Sequence, residues 1–256
     1  MILSNGGKFF VTYLTSSEVE MIKRIYCFLT IASILIFISS AFAQTAKIYQ
    51  KNNILVGANF NDGTGSSDMT LIMQLSGDDK VYVDEGHPVK YIFNPNNEGI
   101  NGWTKTDFND KSWEDGFSGV GFSDNDDNTT TPAALLSIWT RYKFDAPNAG
   151  NIKGLQLLVD YNDAYIAWLN GVEIARSASV TAKGLKVGDE PAWDLSSGGI
   201  TNRGSCELAA GKPNNARWKC GSIEKVTVKF DYGGITAIAV ESKGKLTTTW
   251  GNIRDL

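Results

Sequence analysis

The sequence predicts an all-β protein, a β-sandwich of packed sheets, on three observations. Short apolar segments recur with turn signals between them, the pattern of strands joined by tight connections. No stretch beyond residue 43 sustains a 3.6-residue apolar period, so long amphipathic helices are not expected. The third observation is the segment 160–176, which reads as a strand, a reversal and a return strand. Asn170-Gly171 tolerates positive φ at both central positions of a type I′ turn, whose twist matches that of the strands it joins. Tyr165, Ala167 and Leu169 alternate with Ile166 and Trp168, so both faces of this strand are apolar and it belongs inside a sheet.

In chain order, residues 1–20 read as an over-extended start or a leader, because Met21 opens a better-formed N-terminus than Met1. Lys23 and Arg24 precede an apolar run over 25–38, and Ala41-Phe42-Ala43 ends it with small residues at the cleavage positions. The segment 21–43 is therefore expected to be a signal peptide cut after Ala43, leaving 213 residues (256 less 43) and a secreted, extracellular protein. An uncleaved anchor is the competing reading, since 25–43 almost spans a bilayer; the Ala-Phe-Ala site favours cleavage. Past this segment no apolar run is long enough to cross a membrane.

Residues 44–80 are weakly patterned and read as an N-terminal extension, with short strands at Ile54-Leu55-Val56 and Leu71-Ile72-Met73. From 81 onward the pattern sharpens, and 81–256 reads as one sandwich domain. Val81-Tyr82-Val83, 89–93, 119–122 and 137–144 are expected strands, and Leu155, Leu157 and Val159 alternate into the hairpin already described. The segment 177–221 is a Gly/Ser/Asn-rich excursion too long for an ordinary loop, so it is either functional or held by structure of its own. Val226, Val228 and Phe230 then alternate with Lys225, Thr227 and Lys229, and Asp231-Tyr232-Gly233-Gly234 reads as a turn into a last strand at 235–240.

The whole chain carries a net charge of −4, and the first 43 residues hold three basic and two acidic side chains, which leaves the remainder near −5. This mildly acidic balance gives no electrostatic footprint for nucleic acid or for an anionic membrane. Cleavage would remove Cys27 and leave Cys206 and Cys220, an even pair in an oxidising compartment and an expected disulfide. A metal role for them would need further ligands, and no histidine stands near.

Three blocks stand in order along the chain. Gly102-Trp103-Thr104-Lys105-Thr106-Asp107-Phe108 runs on to Trp113; Gly119-Val120-Gly121-Phe122 leads into the acidic run at 124–128; Arg141-Tyr142-Lys143-Phe144 is followed by 160–176. Together they resemble the galactose-binding-domain-like jelly roll of secreted bacterial proteins, a module akin to the sugar-binding domain of β-galactosidase-type glycoside hydrolases. The resemblance covers about 81–240. It implies a non-catalytic sandwich that binds carbohydrate through loops at one end, with Trp103, Phe108 and Trp113 packing the first segments onto the sheets. The chain departs from the family pattern in the length of 177–221 and in the residues that follow the closing strand.

Aromatic rings grip sugars by stacking on pyranose C–H faces while polar neighbours take the hydroxyls. Trp193 and Trp218, away from the patterned strands, are the candidate platforms; the other reading is that they pack the excursion onto the sandwich. Trp139 and Trp168 lie on strands and are expected in the core. Asp160, Asn162 and Asp163 shape the turn before the central strand, and Asp163 is a further candidate for a bond to ligand or to loop amides. Asp124, Asp126 and Asn128 occupy the first three ligand positions of an EF-hand loop, yet Thr129 stands where that loop needs Gly and Leu135 where it needs Glu. These oxygens suit Ca²⁺ outside an EF-hand; the alternative is a solvated Asx-turn.

Enzyme chemistry has little to stand on. His87 is the single histidine, no nucleophile-elbow motif accompanies it, and no Gly-rich phosphate loop is present. Paired carboxylates of the glycosidase kind stay open, because spacing in sequence says nothing about separation in space. The expected function is non-catalytic recognition of a polysaccharide or cell-surface glycan. Protein–protein assembly by a structural or adhesive surface protein is the alternative.

Overall fold

The computed structural model describes residues 2–5, 8–11, 44–65, 67–96, 100–123, 127–197, 206 and 214–237. Strands β1 (Ile2–Asn5) and β2 (Lys8–Val11) pair as an antiparallel hairpin in a unit of their own. The expected signal peptide at 21–43 lies outside the described residues.

The second unit runs from Ala43. It carries β3 (Ala46–Lys51), β4 (Asn53–Phe60), β5 (Met69–Gly77), β6 (Lys80–Val83), β7 (Pro88–Phe93), β8 (Glu114–Phe117), β9 (Val120–Phe122), β10 (Thr129–Thr130) and β11 (Ser137–Phe144). There follow β12 (Leu155–Tyr161), β13 (Ala164–Leu169), β14 (Val172–Arg176), the single-turn helix α1 (Ala178–Ala182), β15 (Glu224–Val228) and β16 (Phe230–Thr236). One sheet has the order β10-β9-β5-β12-β15, with β6 pairing the second half of the β5 edge that β9 leaves free. The other has the order β14-β13-β4-β11-β7-β8, and β16 pairs with β3 in parallel. This is an all-β sandwich, as the recurrence of short strands predicts.

The core lies between the two sheets and follows the two-residue alternation of extended chain. Met69, Leu71, Met73 and Leu75 of β5, with Leu155, Leu157, Val159 and Tyr161 of β12, face Leu55 of β4, Ile138 and Tyr142 of β11, and Tyr165, Ala167 and Leu169 of β13. The opposite face of the second sheet is apolar too. Ile54, Val56, Ala58 and Phe60 of β4, Trp139 of β11, and Ala164, Ile166 and Trp168 of β13 form a second cluster there. That second cluster is why β4 is buried at all eight positions and shows no alternation in sequence.

Here the reading of 44–80 as an extension needs correction. β4 and β5 are interior strands with partners on both edges: β4 lies between β13 and β11, and β5 between β12 and the β9/β6 edge. A strand covered on both faces carries a continuous apolar run that sequence pattern alone separates poorly from other buried segments. The final turn needs correction as well. Asp231 to Gly234 belong to β16, which opposes β3 with a register shift between Tyr232 and Gly234, so the glycine pair is an irregularity within the strand.

The organising hairpin forms as expected. Asn170 and Gly171 adopt φ of 52° and 84°, between β13 and β14. Asn170 also ties the turn to β4 and β3, since its Oδ1 accepts from the Ile54 amide (2.8 Å) and its Nδ2 donates to the Lys47 carbonyl (2.7 Å).

Candidate functional site

The outer face of the second sheet is covered by the chain between β7 and β8 and by the first half of the excursion. In the register of the sheet, Trp139 lies opposite Ala58, which lies opposite Ile166; one row along, Arg141 and Trp168 flank Val56. The small side chains in the middle of these rows leave room, and Trp103 fills it. Its ring stacks on Trp139 at 4.0 Å between centroids and 15° between planes, and meets Trp168 edge-on at 5.1 Å. Trp113 and Phe108 complete the cluster at 5.7 Å from each other. Pairs of this kind add about 0.5–1.5 kcal/mol each beyond the area they bury. Trp103 and Trp113 are both buried, so the packing role implied by the resemblance matches the geometry.

Arg141 locks this cover down. Its guanidinium donates through Nε to Asp110 (3.1 Å) and through Nη1 to the carbonyls of Trp103 and Lys105, and it lies over the Phe108 ring at 5.1 Å. Lys143, two residues along the same strand, donates to the other oxygen of Asp110 (3.0 Å). Burial by itself would push the Asp110 carboxyl up, but the hydrogen bonds and charges of Lys143 and Arg141 outweigh it and hold the group below its ordinary value.

A pocket of about 320 Å³ opens beside the stacked indoles, lined by Ile100, Asn101, Trp103, Trp139, Glu190, Pro191 and Ala192. Glu190 reaches across from the excursion and accepts from the Gly102 amide (3.2 Å). The indole Nε1 atoms of Trp103 and Trp139 are buried and find no hydrogen-bond partner among the described residues. A buried donor without an acceptor costs roughly 1–3 kcal/mol, so two of them on residues that line one pocket call for an explanation. This arrangement offers aromatic and aliphatic walls, one carboxylate and one carboxamide: a site for a small neutral polar group with an apolar side.

The other candidate residues are placed elsewhere. Trp193 is half-buried against the same aromatic cluster, with Leu185 and Leu195. Trp218 is half-buried against Leu158, Cys206 and Ile223 on the outer face of the first sheet, and its Nε1 donates to Asp84 (2.9 Å). Both thus pack the excursion onto the sheets, the second of the two expected roles, and neither stands as an open platform. Asp163 is buried at φ 72°, and its Oδ2 accepts from the Asp62 amide (3.0 Å), so it serves loop amides. Asp124 and Asp126 lie outside the described residues. Asn128 donates to the Ser118 carbonyl (2.8 Å), which shapes its own loop.

Cys206 and Cys220 are disulfide-bonded with their Cα atoms 6.0 Å apart, as the even cysteine pair predicts. Close by, Arg217 is buried between two carboxylates: it donates to Asp160 at the end of β12 and, at 3.1 Å, to Glu85 in the turn before β7. Asp160 also accepts from the Cys206 amide (3.0 Å). A larger groove of about 760 Å³ lies at the end of the sandwich beside His87, Tyr82, Lys143 and Asp145. His87 is spoken for there, its Nε2 donating to the Lys143 carbonyl (2.9 Å).

No protein-family model, curated protein or solved structure matches the chain.

Sequence reasoning missed Asn101, Glu190 and Trp139 as site residues. Trp139 carried the signal of a core residue, which it is. Nothing in the local sequence ties Glu190 to Trp103, since 87 positions separate them and only the folded excursion brings them together.

Proposed function

We propose that the protein is a secreted, non-catalytic carbohydrate-recognition module that meets extracellular glycans at the pocket on the outer face of its second sheet. The observation that carries this reading is the pairing of the Trp103 and Trp139 indoles with Glu190 and Asn101 around about 320 Å³, a volume at the small end of ligand pockets and suited to one sugar residue. Aromatic walls take the C–H faces of a pyranose, and the carboxylate and carboxamide take hydroxyls. The sandwich and the sequence blocks at 102–113, 119–129 and 141–176 support placing it among galactose-binding-like jelly rolls. The disulfide supports an oxidising compartment, in keeping with cleavage of a leader after Ala43. Calcium belongs to this proposal as a ligand of the 124–128 loop.

Intrinsic tryptophan fluorescence against a panel of polysaccharides, with and without calcium, tests the reading. A saturable shift that Asn101→Ala and Glu190→Ala abolish and Trp218→Ala leaves intact is the expected result. A flat response across the panel would sink it.

Assembly with other proteins is the second reading. It is favoured by the large apolar side chains left exposed on β16, Tyr232 at 47% and Ile235 at 66%. Concentration-dependent self-association, read by sedimentation and removed by Ile235→Lys, would move this reading to the front.

A further inference from the structure

The two buried indole donors narrow the chemistry of the ligand. Trp103 is 1% exposed and Trp139 is 0% exposed, and both line the pocket with their Nε1 atoms unpaired. Buried donors in native proteins are nearly always paired, so two on residues that line one pocket point to an acceptor from outside the chain. An indole N–H donates and never accepts, so the complementary ligand atom is a carbonyl, carboxylate or hydroxyl oxygen.

A carboxylate is disfavoured. Among the described residues no lysine or arginine lines the pocket, and Glu190 already places a negative charge in it. A plain hydroxyl meets the donors but leaves the rest of the wall unused. That wall is apolar and small-featured: Ile100, Pro191, Ala192 and the edges of two indoles. An acetamido group answers each part. Its carbonyl oxygen takes an indole N–H, its methyl lies on the aliphatic wall, and its amide N–H donates to Glu190 or to the Asn101 carbonyl oxygen.

We infer that the pocket recognises the N-acetyl group of an amino sugar, a deepening that rests on the carbohydrate reading above. Both Nε1 atoms are shielded from solvent. Seating the group therefore requires the exposed residues Glu190 and Ala192 to shift outward, breaking the bonds that the Gly102 amide (3.2 Å) and the Thr104 hydroxyl (3.5 Å) donate to Glu190. A donor that is already desolvated forms its ligand bond without giving up a water, and an amide carbonyl is a stronger acceptor than an alcohol oxygen, so the bond favours the acetamido group over a hydroxyl.

Isothermal titration of the protein with β-1,4-linked tetramers of N-acetylglucosamine and of glucose tests the inference. Binding of the acetylated tetramer about tenfold tighter or more is expected, the size of one well-placed hydrogen bond in a desolvated site. Trp139→Phe keeps a ring in the wall and removes one donor; Trp103→Phe removes the other. Each is expected to cut the preference severalfold while circular dichroism and the melting profile show a folded protein. If one variant fails to fold, the other carries the test, and Glu190→Gln, at the exposed mouth, gives a third arm.

Equal affinity for the two tetramers overturns the N-acetyl inference and leaves carbohydrate recognition standing. So does a preference that survives both phenylalanine variants. Failure of both tetramers while another glycan of the panel binds overturns the inference alone. Failure of every glycan overturns it together with the function it rests on.

Discussion

The two outer faces of the sandwich are covered by different physics. On the second sheet the cover is aromatic: Trp103 stacks on Trp139, and Phe108, Trp113 and Trp193 extend the cluster. On the first sheet the cover is a small patch of Leu158, Ile223 and Trp218 closed by the Cys206–Cys220 bond. Each cover is pinned by a buried arginine whose partner carboxylate comes from another segment, Arg141 to Asp110 and Arg217 to Asp160 and Glu85. The difference lies in what is left over. The disulfide-closed patch uses its indole, since Trp218 donates to Asp84, whereas the aromatic cover leaves two indole donors idle beside a pocket.

Removing a pin should break the two faces unequally. Arg217→Ala leaves Asp160 and Glu85 buried without their cation and is expected to cost about 3–5 kcal/mol. Arg141→Ala should cost less, because Lys143 remains on Asp110 and is itself 63% exposed to water. Chemical denaturation of the two variants side by side checks the ordering, and a larger loss in Arg141→Ala would reverse the comparison.

Next in size is the disulfide. Its ends are 14 residues apart, a loop whose closure is worth about 3 kcal/mol in the chain-entropy model. Reduction, or Cys206→Ser with Cys220→Ser, should lower the melting temperature while leaving the near-ultraviolet dichroism of the stacked Trp103–Trp139 pair in place. Loss of both signals together would mean the faces are not independent.

Acid should act on the aromatic cover first. Asp110 has its folded pKa held below the ordinary carboxylate value. Its contribution is present above that ordinary value and is lost as pH falls through the lowered one. Asp110→Asn is expected to flatten the acid limb of the stability–pH profile. The smallest effect expected has the opposite sign. Burial pushes the Glu224 carboxyl up, against the hydrogen bond that the Tyr161 hydroxyl donates to it (3.0 Å), so its contribution is fullest below the ordinary value and declines as pH rises through the raised one. Glu224→Gln should therefore gain stability at pH 7 relative to pH 4, by about half a kcal/mol. Thermal melts at the two pH values separate the two carboxylates.

How far the chain can be read in advance differs along its length. β13, β14 and the Asn170-Gly171 turn are legible because positive φ at two adjacent positions selects Asn and Gly locally. β15 is legible because one of its faces meets water, so Val226 and Val228 alternate with exposed Lys225 and Thr227. β4 and β5 are less so. β4 is apolar on both faces, and its burial depends on a cover that comes from residues 100–113, far along the chain. β8 is equally hard to see. Glu114 and Asp115 are exposed, and the strand exists through its pairing with β7.

The same division separates the cysteine pair from the pocket. Beyond residue 43 the chain holds two cysteines, each with one partner available, so their bond follows from counting. By sequence alone the chain determined its all-β character, its central hairpin and its disulfide, because each rests on alternation, local dihedral preference or covalent pairing. Only the tertiary structure decided which tryptophans meet. Trp193 and Trp218 look like loop platforms in the sequence and are packed in the fold, while Trp103 and Trp139, which look structural, wall the pocket. The reason is that a pocket is a relation among segments: Ile100, Trp139 and Glu190 become neighbours only once the sheet has set their spacing and the excursion has folded back across it.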